Sequence, residues 1–78
     1  MKTVKILGSG CANCKKLEAV AREAASAAGI AAEFVKVMDL NDIMAYDILS
    51  TPGLVIDDRL VSSGRIPTKT EIQGWLGG

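Results

Sequence analysis

Cys11 and Cys14 are the only cysteines in this 78-residue chain, and two residues separate them. They follow a short apolar run at 4–7 and precede a long alanine-rich segment, so the pair is predicted to lie between a strand and the start of a helix. At a helix start, free backbone N–H groups and the helix dipole stabilise a thiolate, the reactive form of cysteine. A disulfide across so short a loop adds little stability. The pair therefore indicates thiol–disulfide exchange or metal binding.

The two cysteines are predicted to differ in accessibility. Cys11 falls at the start of the predicted helix, and Cys14 lies about one turn further in. We expect Cys11 to be the nucleophile that attacks a disulfide, and Cys14 to be the more buried thiol that resolves the mixed disulfide.

The composition of the chain excludes several other kinds of site. Histidine is absent, which excludes Cys/His zinc sites, Cys–His dyads and Ser–His–Asp triads within the chain. The formal net charge is zero and gives no electrostatic reason to expect nucleic acid or a membrane surface. No apolar run approaches the length of a signal peptide core or a membrane span. We expect a cytoplasmic, monomeric protein with one domain, residues 1–78, that binds no cofactor.

The elements that must position the cysteines follow the order β-α-β-α-β-β-α. The predicted strands are 3–7, 31–38, 54–56 and 60–61, and the predicted helices are 11–28, 39–46 and 68–76. The first βαβ unit favours parallel strands, whereas the final hairpin must be antiparallel. The chain is therefore predicted to be an α/β protein with a four-stranded mixed sheet flanked by helices.

The apolar periodicity predicts which helical residues are buried. In the first helix, steps of three and four residues place one set of side chains on a single face: Cys14, Leu17, Ala21, Ala24 and Ala28. Glu18 and Arg22 are spaced for a favourable i,i+4 ion pair.

Both later helices carry capping signals. Asp39 is a candidate N-cap, and Thr68 with Glu71 matches a capping box. We expect the apolar residues of these two helices to be buried: Leu40, Ile43, Met44, Ile72, Trp75 and Leu76.

Three segments carry a resemblance to a known family. They are GCANCKKL at 10–17, STPGLVI at 50–56 and VSSG at 61–64. Over essentially its whole length the chain resembles the small thioredoxin-like or glutaredoxin-like redox-active disulfide proteins of the thioredoxin superfamily. The resemblance implies a thioredoxin-like fold and protein disulfide reductase activity. It also implies two kinds of partner: proteins that contain disulfides, and a separate flavoprotein similar to thioredoxin reductase.

The resemblance also implies a substrate site beside the cysteines. In this family the Thr51–Pro52 bond would be cis and would pack against the CxxC motif, with Thr51 offering backbone groups to an extended substrate peptide. Ala12, Asn13 and Tyr46 complete the predicted substrate contacts. A buried carboxylate assists the resolving thiol in ordinary thioredoxins, and it has no obvious counterpart here, because Glu18 is expected to be solvated.

Two alternatives use the same cysteines. A heavy-metal-associated domain also places GxxCxxC at a strand–helix junction, and two soft thiolates suit Cu(I), so the chain could be a Cu(I) or Zn carrier. Such domains follow the order β-α-β-β-α-β, which differs from the order predicted here. A redox-sensing binding module with the same fold is the second alternative.

Overall fold

The computed structural model describes residues 2–8, 12–48 and 50–77. Its elements are β1 (Lys2–Leu7), α1 (Ala12–Ala28), β2 (Ala32–Val37), α2 (Leu40–Met44), β3 (Gly53–Ile56), β4 (Arg59–Ser63) and α3 (Lys69–Gly77). The predicted order β-α-β-α-β-β-α is confirmed, with bounds that differ by one or two residues at most ends. Cys11, the predicted first residue of the first helix, lies outside the described residues.

The four strands form one mixed sheet in the order β2-β1-β3-β4. β1 pairs with β2 in parallel and with β3 antiparallel, and β3 pairs antiparallel with β4. At the end of β1, Leu7 lies opposite Val37 on one side and Gly53 on the other. The residues that follow β1 and those that precede β3 therefore meet at the same end of the sheet.

Each face of the sheet carries a separate apolar cluster, because side chains alternate along a strand. Val4 and Ile6 of β1 point to the face covered by α1 and α3, and Leu7 points to the face covered by α2. The buried members of the first cluster are Val4, Ile6, Leu17, Ala21, Ala24, Ala25, Leu54, Ile56, Ile72 and Leu76. Those of the second, smaller cluster are Leu7, Ile43 and Val55.

The buried face of α1 differs from the prediction at its C-terminal end. Cys14, Leu17, Ala21 and Ala24 are buried as predicted, but Ala28 is exposed and Ala25 is buried in its place. Ala25 is four residues beyond Ala21, so it continues the same face. Ala28 is the last residue of the helix, and the chain reverses at Gly29.

The prediction for α2 was correct at its start and wrong at two of its apolar residues. Asp39 is the N-cap, and its carboxylate accepts a hydrogen bond of 2.8 Å from the Asn41 N–H. Ile43 is buried, but Leu40 and Met44 are 68% and 62% exposed. A five-residue helix presents little more than one side to the sheet, and residues four apart share the other side.

The capping box at the start of α3 is confirmed. Thr68 Oγ1 accepts a hydrogen bond from the Glu71 N–H at 3.2 Å, and Glu71 Oε1 accepts one from the Thr68 N–H at 3.1 Å. Ile72 and Leu76 are buried, and Trp75 packs partly buried against the same cluster. None of the helices in the described part of the chain is long and apolar enough to cross a membrane.

Candidate functional site

Cys14 lies in the first turn of α1 and is buried, with 5% of its surface exposed. Its burial on this face of the helix was predicted, whereas the prediction that it is more buried than Cys11, and its role as the resolving thiol, stay predictions. The chain's other cysteine, Cys11, lies outside the described residues.

Gly8 brings α1 against the end of β1. Its N–H donates a hydrogen bond of 3.0 Å to the Val37 carbonyl, which continues the β1–β2 pairing by one residue. A β-carbon at Gly8 would overlap the Cys14 sulfur and would lie 3.4 Å from Cys14 Cβ and 4.0 Å from Thr51 Cβ. The absence of a side chain at residue 8 therefore allows Cys14 and Thr51 to approach the same point. Gly8 was not among the predicted site residues, although a glycine directly after a strand is a signal of close backbone approach.

The Thr51–Pro52 peptide bond is cis, with Thr51 exposed and Pro52 buried. The Pro52 carbonyl accepts a hydrogen bond of 2.9 Å from the Gly64 N–H. Gly64 has a φ of +73°, and a β-carbon there would overlap Ser50 Oγ. The loop that follows β4 thus packs directly against the loop that precedes β3, next to Gly8 and Cys14.

The structure separates the remaining predicted substrate residues into two groups. Ala12 and Asn13 are exposed in the first turn of α1, two residues or fewer before Cys14. Tyr46 packs with the cluster around α2, on the opposite face of the sheet from α1. Its hydroxyl accepts a hydrogen bond of 2.9 Å from Lys5 Nζ, and this bond, with a second to Asp58, raises the pKa of Lys5. The structure does not bring Tyr46 together with Cys14.

A small, mostly apolar pocket lies beside Cys14, and we call it the Cys14 pocket. It has a volume of about 60 Å³. Its lining residues are Ile6, Gly8, Cys14, Lys15, Glu18, Lys36 and Met38.

Glu18 is the acidic residue of the Cys14 pocket, and it is more buried than the sequence analysis expected. Its side chain is 16% exposed. The carboxylate bonds to Arg22 Nε at 2.9 Å and to Lys36 Nζ at 3.2 Å, which confirms the predicted i,i+4 pair with Arg22. Hydrogen bonding to Arg22, and then to Lys36, lowers the pKa of Glu18 despite its partial burial. Helical periodicity could not reveal the contact with Lys36, because that residue comes from β2.

The chain is similar over nearly its whole length to one family model and to known proteins that share one name. A family model described as "Thioredoxin domain" matches residues 2–77. A thioredoxin from Methanothermobacter thermautotrophicus is 42% identical over 73 residues, which cover 94% of this chain and 95% of that protein. A thioredoxin from Methanocaldococcus jannaschii is 38% identical over 73 residues, covering 94% of this chain and 84% of that protein.

Proposed function

Because the chain belongs to the thioredoxin family, we propose that it is a thiol–disulfide oxidoreductase that reduces disulfides in proteins. The observation that carries the proposal is the packing of a buried Cys14 sulfur against Gly8, beside the Thr51–Pro52 loop. It supports the proposal because the buried sulfur lies near a threonine that is exposed to solvent.

The proposed reaction has two exchange steps. The Cys11 thiolate attacks one sulfur of the substrate disulfide, the S–S bond breaks, and the other substrate sulfur leaves as a thiolate that takes a proton from solvent. Cys14, after losing its proton, attacks the Cys11 sulfur of the mixed disulfide and releases the second substrate thiol. The substrate gains two electrons and two protons, and the protein is left with a Cys11–Cys14 disulfide.

The burial of Cys14 supports its proposed role as the resolving thiol. A buried sulfur such as Cys14 is shielded from an incoming substrate disulfide but can attack the sulfur of the neighbouring cysteine in a mixed disulfide, which favours Cys14 as the resolving thiol. We assign the substrate contacts to Ala12, Asn13, Thr51 and Pro52. Tyr46 is left out, because its hydroxyl is bonded to Lys5 on the opposite face of the sheet.

The reduced protein must be regenerated by an external donor of two electrons. We propose that a separate flavoprotein reductase reduces the Cys11–Cys14 disulfide, without a cofactor bound to this chain. A cytoplasmic location, one domain over residues 1–78 and a monomeric state remain predictions.

The element order favours exchange over metal carriage. In a heavy-metal-associated domain two strands follow the first helix directly, and a strand ends the domain. Here α2 separates β2 from β3, and α3 follows β4. The Thr51–Pro52 loop beside Cys14 also has no role in carrying a metal.

Two serine variants test the mechanism in an assay of protein disulfide reduction. Cys11→Ser is expected to abolish the reaction, because it removes the nucleophile. Cys14→Ser is expected to accumulate a mixed disulfide with the substrate, visible by mass spectrometry as a covalent adduct that a small thiol releases. Normal turnover by Cys14→Ser would exclude the two-cysteine mechanism. Tight Cu(I) binding without a reversible disulfide in a redox titration would exclude the function itself.

A further inference from the structure

The Cys14 pocket has the shape and chemistry to hold one aliphatic side chain. Its volume of about 60 Å³ is too small for a large ligand, and Ile6, Gly8 and Cys14 are among the residues that line it. Met38 forms part of the wall and is 54% exposed, so the pocket communicates with solvent past a flexible apolar side chain. Any group that enters it lies against one sulfur of the active pair.

Three of the described residues that line the pocket are charged, and two of them, Glu18 and Lys36, form an ion pair. Glu18 is the acidic residue of the lining, and its carboxylate is already bonded to Arg22 and Lys36. Lys15 also lines the pocket, is exposed, and has no bonded partner among the described residues. Because Lys36 is paired with Glu18, the positive charge of Lys15 is left over, and it attracts a negatively charged group to the pocket.

We propose that the Cys14 pocket is a substrate subsite that selects disulfide-bearing segments with an aliphatic side chain next to an acidic residue. The aliphatic side chain enters the pocket against Met38, and the acidic residue pairs with Lys15. The subsite rests on the proposed function, because its occupant must be the chain that carries the disulfide. It lies on the α1 side of the sheet, at the β2 end, and adds to the contacts assigned to the Thr51–Pro52 loop.

Three synthetic peptides with one internal disulfide, together with a small neutral disulfide, test the subsite. The peptides differ only at the two residues beside one cysteine, which are Leu-Glu, Leu-Lys or Ala-Glu. The small substrate is 2-hydroxyethyl disulfide. The measurement is kcat/KM for each peptide, expressed as a ratio between peptides so that changes in intrinsic thiol reactivity cancel.

The structure offers a matched control for each subsite residue. Lys15→Glu is compared with Lys16→Glu, the same charge change on the next residue, which is exposed and does not line the pocket. Met38→Ser is compared with Met44→Ser, where the methionine is 62% exposed and lies away from the pocket.

The wild-type protein should prefer Leu-Glu to Leu-Lys by about two- to fivefold, the size of effect of an exposed ion pair. It should prefer Leu-Glu to Ala-Glu by about tenfold, from apolar burial in a small pocket. Lys15→Glu should reverse the charge preference, and Met38→Ser should weaken the leucine preference. Both control variants should keep the wild-type ratios. The charge preference should also decrease with added salt.

Equal reduction of all peptides by the wild-type protein would overturn the subsite, as would equal changes in the ratio for Lys15→Glu and Lys16→Glu. If 2-hydroxyethyl disulfide is still reduced in that case, the proposed function stands and only the subsite is wrong. If neither the peptides nor 2-hydroxyethyl disulfide are reduced, both the function and the subsite are wrong. Should Met38→Ser fail to fold, the wild-type ratios and the two lysine variants still decide.

Discussion

Gly8 and Cys14 are in such close contact that residue 8 has no room for a β-carbon beside the Cys14 sulfur. Gly8 is held by its hydrogen bond to Val37, and Cys14 is held by the packing of α1, so neither has an evident way to move aside. The contact couples the end of the central strand to the position of the sulfur.

Gly8→Ala is expected to destabilise the protein by about 1–3 kcal/mol, because an added methyl group overpacks a buried site. It should also shift the redox potential of the cysteine pair, since the sulfur must move. Denaturant unfolding and a glutathione redox titration measure the two effects. Gly74→Ala is the control, because a β-carbon there meets nothing within 4 Å, and it should stabilise the helix by about 0.5–1 kcal/mol. If Gly8→Ala unfolds at the wild-type denaturant concentration, the contact is not rigid.

Gly64→Ala is expected to weaken the support of the Thr51–Pro52 loop. A φ of +73° costs an alanine about 1–2 kcal/mol, and its methyl group would also overlap Ser50 Oγ. Gly29→Ala separates the two causes, because Gly29 has a φ of +67° but open space around it. Both variants should lose stability, but only Gly64→Ala should also lower kcat/KM for a protein disulfide. Equal effects of the two substitutions on activity would contradict a role of Gly64 in the loop.

Two leucine substitutions test the assignment of the core. Leu54 of β3 is fully buried on the face of the sheet that α1 and α3 cover, whereas Leu40 is 68% exposed on α2. Leu54→Ala should cost about 2–5 kcal/mol in the free energy of unfolding, and Leu40→Ala should change it by less than about 0.5 kcal/mol. Urea unfolding followed by circular dichroism measures both. A large loss for Leu40→Ala would mean that α2 packs more of its surface than described here.

The stability of the protein at acid pH should depend on Glu71. Hydrogen bonds from Arg65 and from the Thr68 backbone lower the pKa of Glu71 from its ordinary 4.5 to about 2. A carboxyl whose pKa is lower in the folded state stabilises that state above its unfolded pKa. The contribution is therefore fully present above about pH 4.5 and is lost as the pH falls toward 2.

Glu71→Gln should reduce the loss of stability between pH 7 and pH 3, measured by urea unfolding at each pH. Glutamine keeps part of the capping box, so the helix should still form. Glu33→Gln is the control, because the side chain of Glu33 is exposed and forms no hydrogen bond or ion pair within the described part of the chain. If both variants show the wild-type pH profile, the Arg65–Glu71 pair does not contribute to acid sensitivity.

Much of the fold was predictable because its signals are local. Strand and helix order followed from apolar periodicity, and the Thr68–Glu71 capping box was visible as two residues three apart. The mixed sheet followed from one βαβ unit and one tight hairpin. Each of these features depends on residues within a few positions of each other, or on a chain connection with few alternatives.

The sequence by itself predicted a pair of cysteines at a helix start, and it determined that a Thr-Pro loop precedes a buried strand and in what order the elements occur. Only the tertiary structure decided which side chains are buried and which residues from different elements are in contact. In the structure Leu40 and Met44 are exposed, and Glu18 is partly buried and paired with Lys36. Tyr46 lies on the opposite face of the sheet from Cys14. These outcomes depend on contacts between elements that are distant in the sequence. The local sequence pattern does not specify those contacts. The meeting of Gly8, Cys14 and Thr51 at one point is of the same kind, because three separate segments must be folded together before the contact exists.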